Sequence, residues 1–158
     1  MARSEAKAEP TWLTADELQT WKTLHYVVAV LPSFLGERLR CDADLSFIEY
    51  YVLAALSEQP GRTMRLSQLA TLAGSELSRL SHLTSRLEKR GLVYRETDPT
   101  DGRFTNAVLT DAGYQLVVAA APGHVELVRQ TIFSALTKSE QHALRSALNK
   151  IASAMGYC

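Results

Sequence analysis

Residues 92–109 read LVYRETDPTDGRFTNAVL, and this stretch decides the fold of the chain. Its two ends, residues 92–97 and 104–109, are rich in aromatic and β-branched side chains, which favour β-strands. The six residues between them are nearly all turn formers. The stretch predicts a β-hairpin whose loop carries Arg103 beside Gly102. Such a loop can enter a narrow groove of DNA, where an inserted guanidinium meets enhanced negative potential; taken alone, the segment is equally compatible with an ordinary surface hairpin.

Two helices are predicted directly before this hairpin. Residues 66–73, LSQLATLA, place their apolar side chains on one helical stripe. Gly74 tolerates a positive φ in the turn that follows, and Ser75 can cap the next helix. That helix, residues 76–90, is predicted to bury five side chains at steps of three and four: Leu77, Leu80, Leu83, Thr84 and Leu87. Helix, tight turn, helix and hairpin together predict a winged helix-turn-helix.

The outer face of the second helix carries short hydroxyls together with arginine and histidine: Ser78, Arg79, Ser81, His82, Ser85, Arg86 and Lys89. This mixture suits a major groove, because arginine bonds guanine bidentately and small side chains permit close approach. The alternative is a solvated face, which would more often carry glutamate and lysine in quantity.

Residues 78–113, SRLSHLTSRLEKRGLVYRETDPTDGRFTNAVLTDAG, resemble the DNA-binding core of the MarR family of bacterial transcriptional regulators. The family pattern combines an R-L-E-x-x-G-L-[VI] helix exit, a D-P-x-D-x-R wing and an L-T-x-x-G helix start. The chain matches these at residues 86–93, 98–103 and 109–113, and the resemblance extends, with less motif content, across about residues 14–155. It implies a homodimeric repressor or activator that binds a palindromic site in double-stranded DNA and responds to small molecules.

The resemblance also assigns roles to the candidate DNA-binding residues. Arg103 should insert into the minor groove, with Asp101 holding the loop and the arginine in position. On the helix, Arg79 and His82 are the candidates for base contacts, whereas Ser78 and Arg86 are expected to hold phosphates. Ser75, at the start of the same helix, is counted among the DNA-facing residues.

An aromatic or phenolic effector is a further expectation, because MarR-type proteins often bind aromatic acids where the dimerisation helices meet the winged domain. Trp21 and His25, four residues apart on the first helix, and Phe47 and Tyr51 on the second are expected to approach this crevice. The alternative is that these four residues simply pack the core. No arginine is obviously placed to clamp an acid.

The composition predicts a single compact cytoplasmic protein. The chain has 158 residues, 46% of them hydrophobic, and no apolar run approaches the ~18 residues of a membrane span. Its start, MARSEAKAEP, lacks the apolar segment of a signal peptide. The formal net charge is zero, yet residues 60–105 carry eight basic and five acidic side chains. A basic centre with acidic flanks fits a local footprint on DNA.

Capping-box patterns predict where the flanking helices begin. Threonine or serine stands three residues before glutamate at positions 14, 46 and 137, which predicts helices starting near residues 15, 47 and 138. The first should run to about residue 39, with a kink at Pro32, and its all-round apolar stretch 27–31 should be buried against a partner subunit. A helix over residues 111–136 should kink or break at Pro122 and Gly123.

The predicted fold class is therefore mainly α, with a small β-hairpin wing and a helical dimerisation layer. Its expected segments are a disordered N-terminal tail (1–13), an N-terminal dimerisation helix (14–45), the winged helix-turn-helix (46–110) and C-terminal dimerisation helices (111–158).

Other functions find little support in the sequence. The chain has no HExxH, CxxC, GxGxxG, Walker A or GxSxG motif, so neither an enzyme, a cofactor nor a metal is expected. Redox sensing through Cys41 is a minor alternative, because Arg38 and Arg40 favour its thiolate while Asp42 and Asp44 oppose it. The main alternative function is a winged-helix module for protein contacts or dimerisation that does not bind DNA.

Overall fold

The computed structural model describes residues 10–156, so the predicted tail, residues 1–13, lies largely outside them. Six helices and three strands follow one another in the order α1 (Ala15–Ala43), α2 (Phe47–Ser57), β1 (Thr63–Arg65), α3 (Leu66–Leu72), α4 (Leu77–Lys89), β2 (Val93–Thr97), β3 (Thr105–Leu109), α5 (Asp111–Thr131) and α6 (Lys138–Ala154). The chain forms two units, one ending at Pro32 within α1 and the other starting at Ser33.

The three predicted helix starts are confirmed. At α1 the backbone N–H of Thr14 donates to Glu17 Oε2 at 2.8 Å, and Ser46 and Thr137 begin α2 and α6 with complete capping boxes. In each box a hydroxyl accepts from the N–H three residues later while the glutamate accepts from the capping residue. These local contacts explain why the starts could be located from sequence.

Two predicted helix boundaries are wrong. α1 continues past residue 39 to Ala43, and α5 ends at Thr131 rather than at residue 136, where a single 3-10 turn, Phe133–Ala135, leads to α6. α5 runs through Pro122 and Gly123 without a break, and the kinks expected at Pro122 and Pro32 stay predictions. Proline removes one helical hydrogen bond, but α5 buries side chains before this point, including Val117 and Ala120, and packing commonly outweighs local propensity.

The core of the second unit lies between α2, the two helices that follow and the sheet. Its fully buried members include Leu53 and Leu56 of α2, Leu69 of α3 and Leu80 and Leu87 of α4. The predicted hairpin strands are present as β2 and β3, and the predicted fold class is confirmed. The sheet nevertheless has a third strand, in the order β1-β3-β2, all antiparallel. β1 was not predicted, because three residues cannot show a hydrophobic alternation.

The first unit exposes a long apolar surface in the single chain. Residues 27–31 were expected to be buried against a partner subunit, and in the single chain Val27, Val28 and Val30 are exposed. In the second unit, Leu148 and Ile151 of α6 are exposed as well. Large apolar side chains exposed together on one helix are typical of an interaction site. Burial against a partner subunit therefore stays a prediction. In the part of the chain that the structure describes, no helix combines the length and the apolar character needed to cross a bilayer.

Candidate nucleic-acid interface

Helix α4 separates a buried face from a polar exposed face. Four of the five side chains predicted to be buried are buried: Leu80, Leu83, Thr84 and Leu87. The fifth, Leu77, is 52% exposed because it opens the helix, where no neighbouring element covers it. Ser78, Arg79 and His82 lie on the exposed side. The helix thus presents hydroxyl, guanidinium and imidazole groups to solvent.

The exposed cations of α4 differ in their partners. Within residues 10–156, neither Arg79 nor Lys89 has a carboxylate within 4 Å, whereas Arg86 lies 3.6 Å from Glu49 of α2. Burial alone would raise the pKa of Glu49, but hydrogen bonds from Ser46 and the charge of Arg86 bring that pKa below its ordinary value. Arg79 therefore has its full charge available to a ligand, and Arg86 sits beside an ionised carboxylate.

The turn between α3 and α4 depends on Gly74, which has a φ of +57°. The N–H of Gly74 donates to Thr71 O at 3.1 Å and that of Ser75 to Ala70 O at 2.9 Å, which closes α3. The prediction that Ser75 caps α4 is wrong: Glu76 occupies the cap position, and its side chain makes no capping bond. The first N–H groups of α4 lack a side-chain cap, and such groups are suited to a phosphate.

The wing, defined here as residues 93–109, is held by Asp98 at the start of its tip loop. One oxygen of this buried carboxylate accepts from Thr100 N at 2.8 Å, Thr100 Oγ1 at 2.6 Å and Asp101 N at 3.2 Å. The other accepts from Arg65 Nε at 2.6 Å. The Arg65 and Thr100 hydrogen bonds hold the pKa of Asp98 well below its ordinary value. The carboxylate is therefore ionised at neutral pH and fixes the loop.

Arg103 projects from the wing tip and is paired with Asp101. Asp101 Oδ1 accepts from the backbone N–H of Arg103 at 3.1 Å and from its Nε at 3.0 Å, while Oδ2 accepts from Nη2 at 2.7 Å. These hydrogen bonds lower the pKa of Asp101 and raise that of Arg103. The Arg103 side chain remains 84% exposed. The guanidinium is oriented by Asp101 and still open to a ligand.

Arg65 links the wing to the helix-turn-helix, and sequence reasoning missed it. It ends β1 and precedes α3, its Nε binds Asp98, and its Nη2 donates to Thr100 Oγ1 at 3.2 Å. Its guanidinium carbon lies 4.4 Å from the centre of the Phe104 ring, a cation–π distance. No linear pattern signals this pairing, because Arg65 and Asp98 are 33 residues apart.

The junction between the wing and α5 explains the L-T-x-x-G motif. Thr110 Oγ1 donates to Gly91 O at 2.7 Å and accepts from Gly113 N at 3.0 Å, so it joins the turn after α4 to the first turn of α5. A Cβ on Gly113 would lie 2.2 Å from Leu92 O and 2.7 Å from Leu109 Cδ1. Only glycine permits this approach of α5 to the wing.

The four predicted effector residues form two local pairs. The rings of Trp21 and His25 are 5.8 Å apart, and those of Phe47 and Tyr51 are stacked at 6.3 Å. The first pair lies in the first unit and the second pair in the other. The effector site they were expected to form stays a prediction.

Two residue types bear on the minor alternatives, which are redox sensing through Cys41 and metal binding. Cys41 is exposed and has a free thiol. Residues 10–156 contain no group of three or more histidine, cysteine, aspartate or glutamate residues arranged to hold a metal ion.

Comparisons with known proteins agree on one family. The MarR family model matches residues 43–103. The transcriptional regulator HosA of Escherichia coli O111:H- is 32% identical over 113 residues, which cover 70% of this chain and 80% of HosA. Sco3205, a MarR family transcriptional regulator of Streptomyces coelicolor solved in complex with DNA, superposes with a TM-score of 0.87 at 40% identity, covering 94% of this chain and 92% of that one. AbsC, another MarR family regulator of Streptomyces coelicolor, superposes with a TM-score of 0.86 at 36% identity, covering 92% of this chain and 98% of AbsC. This chain belongs to the MarR family of transcriptional regulators.

Proposed function

We propose that this protein is a sequence-specific, double-stranded DNA-binding transcriptional regulator that acts as a homodimer on a palindromic operator. The observation that carries the proposal is the exposed Arg103, oriented by Asp101 at the tip of a wing that Asp98 and Arg65 fix. A guanidinium held in this way keeps less conformational freedom to lose on binding. Its relative Sco3205 was solved on DNA, which supports the same partner here.

The two binding elements have separate tasks in this proposal. Arg103 enters the minor groove, and α4 lies in the major groove, where Arg79 and His82 contact bases. Ser78 and Arg86 hold phosphates. The start of α4 beside Ser75 has no side-chain cap and offers its backbone N–H groups to a further phosphate. Base contacts specify the sequence, whereas phosphate contacts position the protein on it.

The dimer is part of the proposed function. Residues 14–45 and 111–158 supply its dimerisation helices, with the exposed apolar side chains of α1 and α6 as the contact surface. Residues 46–110 carry the DNA-binding elements. A two-fold dimer places its recognition helices on half-sites about 34 Å apart. The protein acts as a repressor in this proposal and leaves the operator when an effector binds, and it has no catalytic role.

The test selects bound sequences from a randomised duplex library with the full-length protein. Arg79→Ala should change the selected sequence, because it removes a base contact, while Arg86→Ala should weaken binding to all sequences alike and lower the salt slope by about one. Arg145→Ala, on α6, is the matched control. Equal losses on every sequence for Arg79→Ala would contradict its base contact. Failure of the wild-type protein to select any sequence would favour a module for protein contacts.

The predicted effector site is tested separately. Titration of tryptophan fluorescence with salicylate should give a saturable change if Trp21 lies near a bound aromatic acid. His25→Ala and Tyr51→Phe should weaken that binding. A flat titration, with DNA binding undisturbed, would remove these residues as an aromatic-acid site.

A further inference from the structure

A cleft of about 220 Å³ lies between the start of α4 and the wing. Its lining includes Leu77 and Ser81 of α4, Leu66 and Ser67 of α3, and Arg103 and Phe104 of the wing. The cleft therefore lies inside the candidate nucleic-acid interface, between the helix and the arginine that were assigned to the two grooves of DNA.

Leu77 is the apolar side chain that this interface leaves uncovered. It is 52% exposed, whereas Leu80, Leu83 and Leu87 of the same helix are buried. A single exposed leucine is ordinary on a protein surface. The position of Leu77 is what sets it apart, because it is the first residue of α4 and is followed on the exposed side by Ser78 and Arg79.

The groups around Leu77 suit a nucleic acid rather than an acidic or purely apolar partner. The cleft is lined by the hydroxyl side chains of Ser67 and Ser81 and by Arg103, and none of its lining residues in the described part of the chain is a carboxylate. The Arg103 side chain is 84% exposed. Hydroxyl and guanidinium groups beside an open cleft complement the backbone of a DNA strand.

The wing side of the cleft is rigid. The backbone N–H of Phe104 donates to Asp101 O, and Phe104 O accepts from the N–H of Asp98, both at 3.0 Å. The guanidinium of Arg65 lies 4.4 Å from the centre of the Phe104 ring. The cleft is therefore pre-formed, and a pre-formed site loses less conformational entropy on binding.

The place of the cleft decides what Leu77 meets on a duplex. When α4 occupies the major groove and Arg103 the minor groove, the strand that separates the two grooves crosses the cleft. Leu77, on the α4 side, then lies next to the major-groove edges of the bases. The first residues of a recognition helix commonly contact these edges.

Thymine carries the only apolar group on the major-groove edge of a base pair, its C5 methyl group. Leucine can neither donate nor accept a hydrogen bond. Placed against the polar edge of another base, it would remove water from those groups without replacing the lost hydrogen bonds. Contact with a thymine methyl group has no such cost and buries apolar surface on both sides.

We propose that Leu77 is a specificity-determining residue that packs against the C5 methyl group of one thymine in each half-site. It adds an apolar contact to the polar base contacts assigned to Arg79 and His82. This inference rests on the proposed function, because it requires α4 to lie in the major groove.

The experiment replaces each thymine of the selected operator in turn by deoxyuridine, which lacks only the C5 methyl group and still pairs with adenine. The affinity of the full-length protein is measured by fluorescence anisotropy. At one position of the half-site, deoxyuridine should weaken binding of the wild-type protein about fourfold, and about fifteenfold when both half-sites carry it. For Leu77→Ala, the doubly replaced duplex should bind within about twofold of the thymine duplex.

Two further variants separate the methyl contact from a general loss of affinity. Leu77→Met keeps an apolar side chain of similar volume, so it should retain most of the deoxyuridine effect. Ser78→Ala removes a hydroxyl assigned to a phosphate. It should weaken binding to the thymine and deoxyuridine duplexes alike and leave the ratio of the two affinities unchanged.

Three results would overturn the role of Leu77: an operator selected without thymine, wild-type affinity that no deoxyuridine replacement changes, or an equal deoxyuridine effect in the wild-type protein and Leu77→Ala. Weaker binding of Leu77→Ala without any deoxyuridine effect in the wild-type protein would place Leu77 on the sugar–phosphate backbone instead. In each of these cases operator binding itself stands. Failure of the wild-type protein to select any duplex would refute the proposed function, and this inference with it.

Discussion

Gly113→Ala is predicted to destabilise the protein, because α5 approaches the wing more closely than a methyl group allows. The added Cβ would lie 2.2 Å from Leu92 O, and this carbonyl is held by the N–H of Thr110 at 3.1 Å. Alanine is better than glycine inside a helix by about 1 kcal/mol, whereas overpacking a fixed contact costs about 1–3 kcal/mol. A clash with a backbone atom costs an amount at the upper end of this range, about 3 kcal/mol. After the gain of about 1 kcal/mol from alanine, we expect the free energy of unfolding to fall by about 2 kcal/mol.

Thermal unfolding at fixed protein concentration measures this loss. A change of about 2 kcal/mol should lower Tm by about 4–8 °C in a chain of this size. Gly123→Ala in the same helix is the matched control, since its Cβ would meet only the side-chain ends of Asp42, at 2.9 Å, and Arg38. That variant should keep or raise Tm. Equal Tm values for Gly113→Ala and the wild-type protein would refute the argument from close approach.

Three further predictions concern the wing, a buried imidazole and the dimer. Arg65→Met should weaken operator binding. Because Arg65 acts through the wing, the same substitution should have almost no further effect on operator affinity in an Arg103→Ala background. Additive losses of binding free energy in this double-mutant cycle would contradict that role. Burial lowers the pKa of His124, so its contribution to stability is complete above the unfolded value of about 6.5 and falls as the pH drops through the folded value. Urea unfolding at pH 7.5 and 5.5 should therefore show a smaller difference in the free energy of unfolding for His124→Gln than for the wild-type protein. An equal difference in both proteins would exclude His124 as a source of the pH dependence. Sedimentation should show that Leu148→Glu is a monomer, whereas Lys150→Glu, on the same helix, should remain a dimer. A stable Leu148→Glu dimer would show that Leu148 does not lie in the dimer interface.

Local patterns were enough to locate most of the DNA-binding elements. The hairpin around residues 98–103 carries its own turn chemistry, and the buried face of α4 follows from the spacing of Leu80, Leu83 and Leu87. The capping boxes fix three helix starts for the same reason: every contact is made within three residues. Elements that depend on contacts between residues close in sequence can therefore be predicted from the sequence alone.

The errors arise where a distant partner or a competing local conformation decides the outcome. Ser75 is a good cap by type, but Glu76 takes the cap position because the chain closes α3 through the N–H of Ser75. Pro122 is a helix breaker by propensity, yet α5 continues through it. The Arg65–Asp98 contact joins residues that are 33 positions apart in sequence. Such contacts depend on the packing of the whole fold.

The most direct test of the central claim is the affinity of Arg103 variants for the selected operator duplex, measured by fluorescence anisotropy at several salt concentrations. The wild-type protein should bind the palindrome with two half-sites about 34 Å apart, and Arg103→Ala should weaken binding at least about tenfold while the dimer persists. Arg103→Lys, which keeps the charge but loses the two-pronged contact with Asp101, should recover only part of this loss. Equal affinity of the wild-type protein and Arg103→Ala for the operator would contradict the account.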